Sequence, residues 1–183
     1  MNYIKVHFSG VTQYYSSSTT VGIKGSYTTD LIPTKAAVIG LLSAAFGYER
    51  GSSAITELAK AVDIKYITEK APIILSDFQT VRALKSQQNY MNRRYSSTFK
   101  HVNGSKAKKT DNLIKRVEYL QDGEFNVYIG ANSNQLLQNI YEALKNPVYS
   151  LYFGKRCCVP NKPLVTTFEL IDGKDLVNVS DCI

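Results

Sequence analysis

The 183-residue chain has no tryptophan, only two histidines and only three cysteines. Each scarcity removes a class of function. Cys157 and Cys158 are adjacent and Cys182 stands apart. No CxxC pair and no Cys/His spacing suits zinc, so no metal is expected. Adjacent cysteines rarely bridge one another, and the three are read as reduced thiols of a cytoplasmic protein. No apolar run reaches the roughly 18–20 residues that span a bilayer. The start, "MNYIKVHFSG", is broken by charged and polar residues and reads as neither leader nor anchor, so no membrane partner is expected. A glycine-rich phosphate loop, an HExxH motif and an acidic cluster are all missing, which leaves no cofactor to expect. There is no internal repeat.

What is present is globular. Hydrophobic residues make up 44% and aromatics 11%, the latter as 13 Tyr and 7 Phe, enough for one domain over 1–183 with a real core. Tyr3–Phe8 alternates like a strand, with Ile4, Val6 and Phe8 on one face. A Gly/Ser/Thr-rich stretch follows. Pro33 and Thr34 open a helix that is apolar from Ala36 to Phe46, and Gly47 is its expected stop. An amphipathic helix is expected at Ser53–Val62, and strands at Ile64–Glu69, Ile73–Val81 and Glu124–Ile129. Ser133 starts a helix with Leu136, Leu137, Ile140, Tyr141 and Leu144 on one stripe, ended by Asn146-Pro147. "VYSLYFG" (148–154) reads as a further strand, and "TFELIDGKDLVNV" as a hairpin on the Asp172-Gly173 turn, within a short C-terminal tail (164–183). The order strand, helix, strand, insertion, strand, helix, strand is the βαββαβ pattern of an α+β, ferredoxin-like domain.

The net charge of +7 favours a polyanionic partner. It is gathered in one place. Residues 82–116 carry ten basic residues and one acid, Asp111, while the rest of the chain has 12 basic and 14 acidic residues. This insertion has no helical stripe and little alternation. Tyr90, Tyr95 and Phe99 are scattered among Arg82, Arg93, Arg94, His101 and Arg116. Cations interleaved with rings suit single-stranded nucleic acid, the phosphates pairing with charge and the bases stacking. The alternative is a solvated charge run. Lys155 and Arg156 follow "VYSLYF" as a possible rim contact or as ordinary solubilising charge. Lys35 poses a separate question, because a cation is unfavourable at the positive end of a helix. Thr34 caps that end, whose outward N–H groups can bind an anion. Beside a phosphate Lys35 turns from a liability into a partner.

"FSGVTQYY", "IPTKAAVIGLLSAAFG", "LSDFQTV", "RVEYLQDGEF" and "LKNPVYSLYFGKRCCVP" occur in the order and approximate spacing of the CasD family, the Cas-five type, repeat-associated (RAMP) subunits of type I-E CRISPR Cascade complexes. The resemblance covers about residues 3–163. It implies an RRM-like ferredoxin domain with a projecting thumb, which maps onto 82–116. It implies a subunit that holds the 5′ handle of the CRISPR RNA (crRNA), reaches the backbone subunit with its thumb and touches the large, PAM-reading subunit, so that target DNA is met only indirectly. The Pro-Thr-basic helix start maps onto Pro33, Thr34 and Lys35, and the Gly-basic-basic stretch onto Gly154, Lys155 and Arg156. Gln13 is a candidate for a base-edge or ribose contact. The chain departs from the family where tryptophan often follows the glutamine, here Gln13-Tyr14-Tyr15, and at Val117, where a basic residue usually stands. Arg116 is the substitute candidate. A short form of the family is expected, since relatives often continue through a longer C-terminal region.

The expected role is non-catalytic. Some relatives in type I-C systems cut precursor RNA with a Tyr/Lys/His set, and Tyr95 with Lys100-His101 offers those residue types, one to take the 2′-OH proton and one to protonate the leaving oxygen. A metal-independent endoribonuclease is therefore one alternative. A purely protein-binding adaptor, its basic insertion gripping an acidic partner, is the other.

Overall fold

The computed structural model describes residues 1–16, 26–81, 113–176 and 179–181. The elements are β1 (Asn2–Ser9), β2 (Thr12–Gln13), β3 (Ser26–Tyr27), α1 (Lys35–Phe46), α2 (Ser53–Ala61), β4 (Val62–Lys70), β5 (Ile73–Val81), β6 (Leu113–Gln121), β7 (Glu124–Ala131), α3 (Asn134–Lys145), β8 (Ile171–Asp172) and β9 (Ser180–Asp181). They fall into two units. The first takes in Met1–Ser16, Thr29–Leu75 and Tyr119–Ile183, and residues 26–28, 76–81 and 113–118 belong to the second.

In the first unit the sheet order is β8-β1-β7-β4-β9, with every pair antiparallel. Ile4, Val6 and Phe8 of β1 stand opposite Ile129, Val127 and Phe125 of β7, and Ile64 of β4 completes the row at Ile129. Side chains alternate along a strand, so this register lines one sheet face with apolar residues. Helix α3 packs on β1 and β7, and α1 packs on α3. Val38, Leu42, Leu137 and Ile140 are buried there. Each such side chain contributes about 1.5–3 kcal/mol by leaving water. Tyr3 occupies the opposite face, where its hydroxyl donates to Asp63 Oδ2 at 2.7 Å.

The helices end where their caps dictate. Thr34 Oγ1 accepts from the Ala37 N–H at 3.3 Å, and Gly47, at φ 75°, returns its N–H to Ala44. Ser133 caps α3 and Asn146 closes it. Not all of α1 is enclosed, since Ala36 and Gly40 are exposed. Among the described residues no helix is long and apolar enough to cross a membrane.

A second sheet is built on β6, which runs antiparallel to β2, parallel to β3 and alongside β5. Within the second unit Ser26 pairs with Arg116 and Tyr27 with Val117. The strand begins at Leu113, so the last residues of the 82–116 insertion are ordered as β-structure, contrary to the irregular reading.

Two further expectations are corrected. Residues 148–154 form no strand. Their backbone bonds go elsewhere: Val148 and Tyr149 donate to the terminal carbonyls of α1 at Ala45 and Ala44, and Phe153 donates to Cys158. The place beside β1 is taken instead by 161–172, where Asn161 donates to Ser9, the His7 N–H donates to Leu164, and β8 pairs at Tyr3. The C-terminal segment is also no hairpin. The Asp172 carboxylate does make a tight turn, accepting from the Lys174 N–H, but β8 joins β1 at one sheet edge and β9 joins β4 at the other. An Asp-Gly pair dictates a local turn and leaves open which strands the flanks will join.

Candidate nucleic-acid interface

The turn 153–158 is the most constrained basic feature of the first unit. Gly154 has φ 84°, a left-handed conformation that favours glycine, and a Cβ added there would collide with the Tyr14 carbonyl oxygen. The approach is fixed by the Tyr14 N–H, which donates to Phe153 at 3.0 Å, and by the Cys158 N–H, which donates to Lys155 at 2.9 Å. These bonds aim the next residue. Lys155 Nζ lies 3.7 Å from the ring centroid of Tyr14 and 4.9 Å from that of Tyr119. The two rings meet edge to face at 6.3 Å. An ammonium over ring faces is attracted to the negative π-face. Arg156, next in the chain, is exposed.

The adjoining thiols are unlike each other. Cys157 is exposed, with its sulfur 3.9 Å from the Tyr119 hydroxyl. Cys158 is buried, and burial pushes its thiol up to about 11. Among the described residues no group of three His, Cys, Asp or Glu could hold a metal ion.

The helix start presents less. The Thr34 side chain is committed to its cap, and Lys35 is half-buried at the first helical position, with no acid in the first turn. The segment leading to the Lys155 turn is tied to the far end of α1, at Ala44 and Ala45. About 15 Å of helix separates those residues from Lys35, at 1.5 Å per residue.

A chain with this antiparallel sheet, these three helices and this basic turn can be compared with known proteins. Residues 3–181 match the model of the family described as CRISPR-associated protein (Cas_Cas5). The chain belongs to the Cas5 family. It is 24% identical over 166 residues to the CRISPR system Cascade subunit CasD of Escherichia coli (strain K12), covering 89% of this chain and 69% of that protein. It is similar in structure to a chain of a CRISPR RNA-guided surveillance complex, with a TM-score of 0.72, 21% identity and coverage of 95% of this chain and 66% of that one. A crystal structure of a Cas protein matches with a TM-score of 0.58 and 20% identity, covering 93% of this chain and 65% of that one. The chain thus spans just under two thirds of the length of these structural relatives.

Of the residues singled out in the sequence, Lys155 and Arg156 share the constrained turn. Thr34 and Lys35 stand at the start of α1. Arg116 is exposed on β6 of the second unit, opposite Ser26. Arg82, Arg93, Arg94, Tyr95 and His101 lie outside the described residues. Gln13 is a correction. It is fully buried, its amide nitrogen donating to the Gly123 carbonyl at 2.6 Å while its oxygen accepts from the Tyr15 hydroxyl at 2.7 Å. A group so enclosed ties β2 to the turn between β6 and β7 and has no face left for a base. The sequence reading missed Tyr14 and Tyr119. Lys115, one of the ten basic residues of the insertion, has its Nζ 5.7 Å from the Tyr27 ring centroid in the second unit.

Proposed function

We propose that this chain is a non-catalytic crRNA-binding subunit of a type I-E Cascade surveillance complex, holding the 5′ handle and bridging the backbone and large subunits. The observation that carries this reading is the Lys155 turn. A Gly-basic-basic segment, expected from the resemblance, is pinned by four backbone groups and seats its lysine on two tyrosine rings. Family membership over residues 3–181 supports the assignment to CRISPR defence. The strand order supports a ferredoxin-like body: with 161–172 counted as the fourth core strand, the order is fourth, first, third, second. Residues 82–116 are proposed as the thumb. Lys155 and Arg156 supply phosphate contacts, with Lys35, Arg116 and the thumb's Arg82, Arg93 and Arg94 adding theirs, and Tyr95 stacks on a base.

The test is salt-dependent binding of handle RNA, competed with a scrambled handle. Each neutralised phosphate of a single strand contributes about 0.7 to the slope of log affinity against log salt. Replacing Lys155 and Arg156 with Met and Gln should lower the slope by about 1.4. An unchanged slope removes both from the site, and equal competition by the scrambled RNA removes handle recognition. Incubation with repeat RNA in EDTA checks the catalytic assignment. A discrete product that is lost in His101→Ala would replace the proposal with the endoribonuclease.

A further inference from the structure

The outer edge of β1 is closed unevenly by the chain that follows it. Bonds to the tail are made at Ser9 and His7, and the ladder resumes at Tyr3. Between Leu164, which pairs with His7, and Ile171, which pairs with Tyr3, six tail residues face only three of β1. The excess chain bows away and leaves a cleft of about 120 Å³, lined among others by Lys5, His7, Leu164, Thr167, Glu169 and Ile171. That is well above the volume one water needs.

The floor of this cleft has a defined chemistry. Peptide groups alternate sides along an antiparallel strand. His7 directs its N–H to this edge, so Lys5, two residues away, directs both its N–H and its C=O to the same edge. One residue's worth of donor and acceptor therefore borders the cleft. The His7 ring is a fixed wall, with Nδ1 3.1 Å from Asn126 Oδ1 and Nε2 3.5 Å from Glu124 Oε2. Leu164 and Ile171 supply apolar surface, Glu169 a carboxylate, and Lys5 an ammonium on an exposed side chain.

We infer that this cleft takes a single unpaired nucleobase bearing an exocyclic amine, presented by single-stranded RNA. The inference rests on the RNA-binding reading and adds a base-reading subsite to it. A planar heterocycle carries a donor and an acceptor at neighbouring ring positions, which match the Lys5 N–H and C=O. The Glu169 carboxylate accepts from the amine, the apolar walls flank the ring, and the Lys5 ammonium meets the attached phosphate. An extended peptide would need a run of open edge, and here paired residues lie on both sides of Lys5.

The experiment titrates the full-length protein with AMP, CMP, GMP and UMP while following backbone amide resonances. The expected result is a shift at Lys5 and Thr167 with at least one amine-bearing nucleotide. UMP should bind roughly tenfold more weakly, the loss of one hydrogen bond to a charged acceptor. Thr167→Trp, at an exposed position, should fill the cleft and abolish the shift. Lys5→Met should weaken the monophosphate and leave the free nucleoside unchanged. Equal binding of UMP, no shift with any nucleotide, retention in Thr167→Trp, or occupation by an extended peptide instead would each overturn the inference. Handle-RNA binding separates the two levels. If it depends on Lys155 and Arg156 while mononucleotides ignore the cleft, only the base subsite falls. If it is indifferent to Lys155 and Arg156, the RNA-binding reading falls first.

Discussion

Lys155 and Lys35 occupy similar places in the sequence, each a lysine just after a chain-turning residue, and the fold treats them differently. Lys155 is placed by a left-handed glycine, local backbone bonds and two tyrosine rings drawn from distant parts of the chain. Lys35 is placed only by the start of α1, whose cap is satisfied without it. The first is a positioned charge, so most of the entropy of ordering its long side chain is spent in folding. The second is half-buried with no ring or hydrogen-bond partner among the described residues to fix its ammonium, and ordering it on an anion would cost up to about 2 kcal/mol for a lysine. A preorganised cation gives more affinity per charge. The contrast therefore separates an anchor from an accessory contact.

The comparison breaks most visibly at Gly154. Gly154→Ala must strain a left-handed backbone and also push on the Tyr14 carbonyl, so it should lower stability by about 2–3 kcal/mol and unseat Lys155. Gly51 is the control. It has φ 86° but open space where a Cβ would stand, so Gly51→Ala should show the backbone penalty alone, about 1–2 kcal/mol. Thermal denaturation of the two variants measures the difference. Equal losses would mean that the close approach at Gly154 carries no energy.

A smaller effect sharpens the same contrast. Tyr119→Leu removes one of the two rings that preorganise Lys155, and under the RNA-binding reading handle affinity should fall roughly fivefold, about 1 kcal/mol of the side-chain ordering cost then falling on binding. Tyr119→Phe keeps the ring face and should stay near the original affinity. A loss in Phe equal to that in Leu would assign the role to the hydroxyl, which neighbours Cys157.

How much of this was readable follows from how local each determinant is. The ends of α1 and α3 were legible because Thr34, Gly47, Ser133 and Asn146 act on backbone groups within one turn. β5 was legible at both ends, Ile73 and Val81. The Lys155 platform was not, because Tyr14, Tyr119 and Lys155 are brought together only by the fold. Gln13 was misread for the converse reason: a polar residue near a presumed site looks like a ligand contact until Gly123 and Tyr15 are seen to use both ends of its amide. The strand partners of β8 and β9 were beyond any local signal. The arginines of 82–112 lie outside the described residues, and for them the charge pattern stands alone.

The last prediction concerns the weaker side of the comparison, and it turns on two effects of opposite sign. Lys35→Glu replaces an unfavourable charge at the α1 N-terminus with a favourable one, so stability should rise by about 0.3–1 kcal/mol at low salt, and the gain should shrink as salt screens the dipole. Handle-RNA affinity should move the other way, because a carboxylate repels the phosphate that the lysine would have met. Urea denaturation and RNA titration on one preparation read both quantities. A rise in stability with unchanged affinity would leave Lys35 a tolerated mismatch of the helix with no part in binding, and the body's share of the proposed interface would then rest on Lys155 and Arg156.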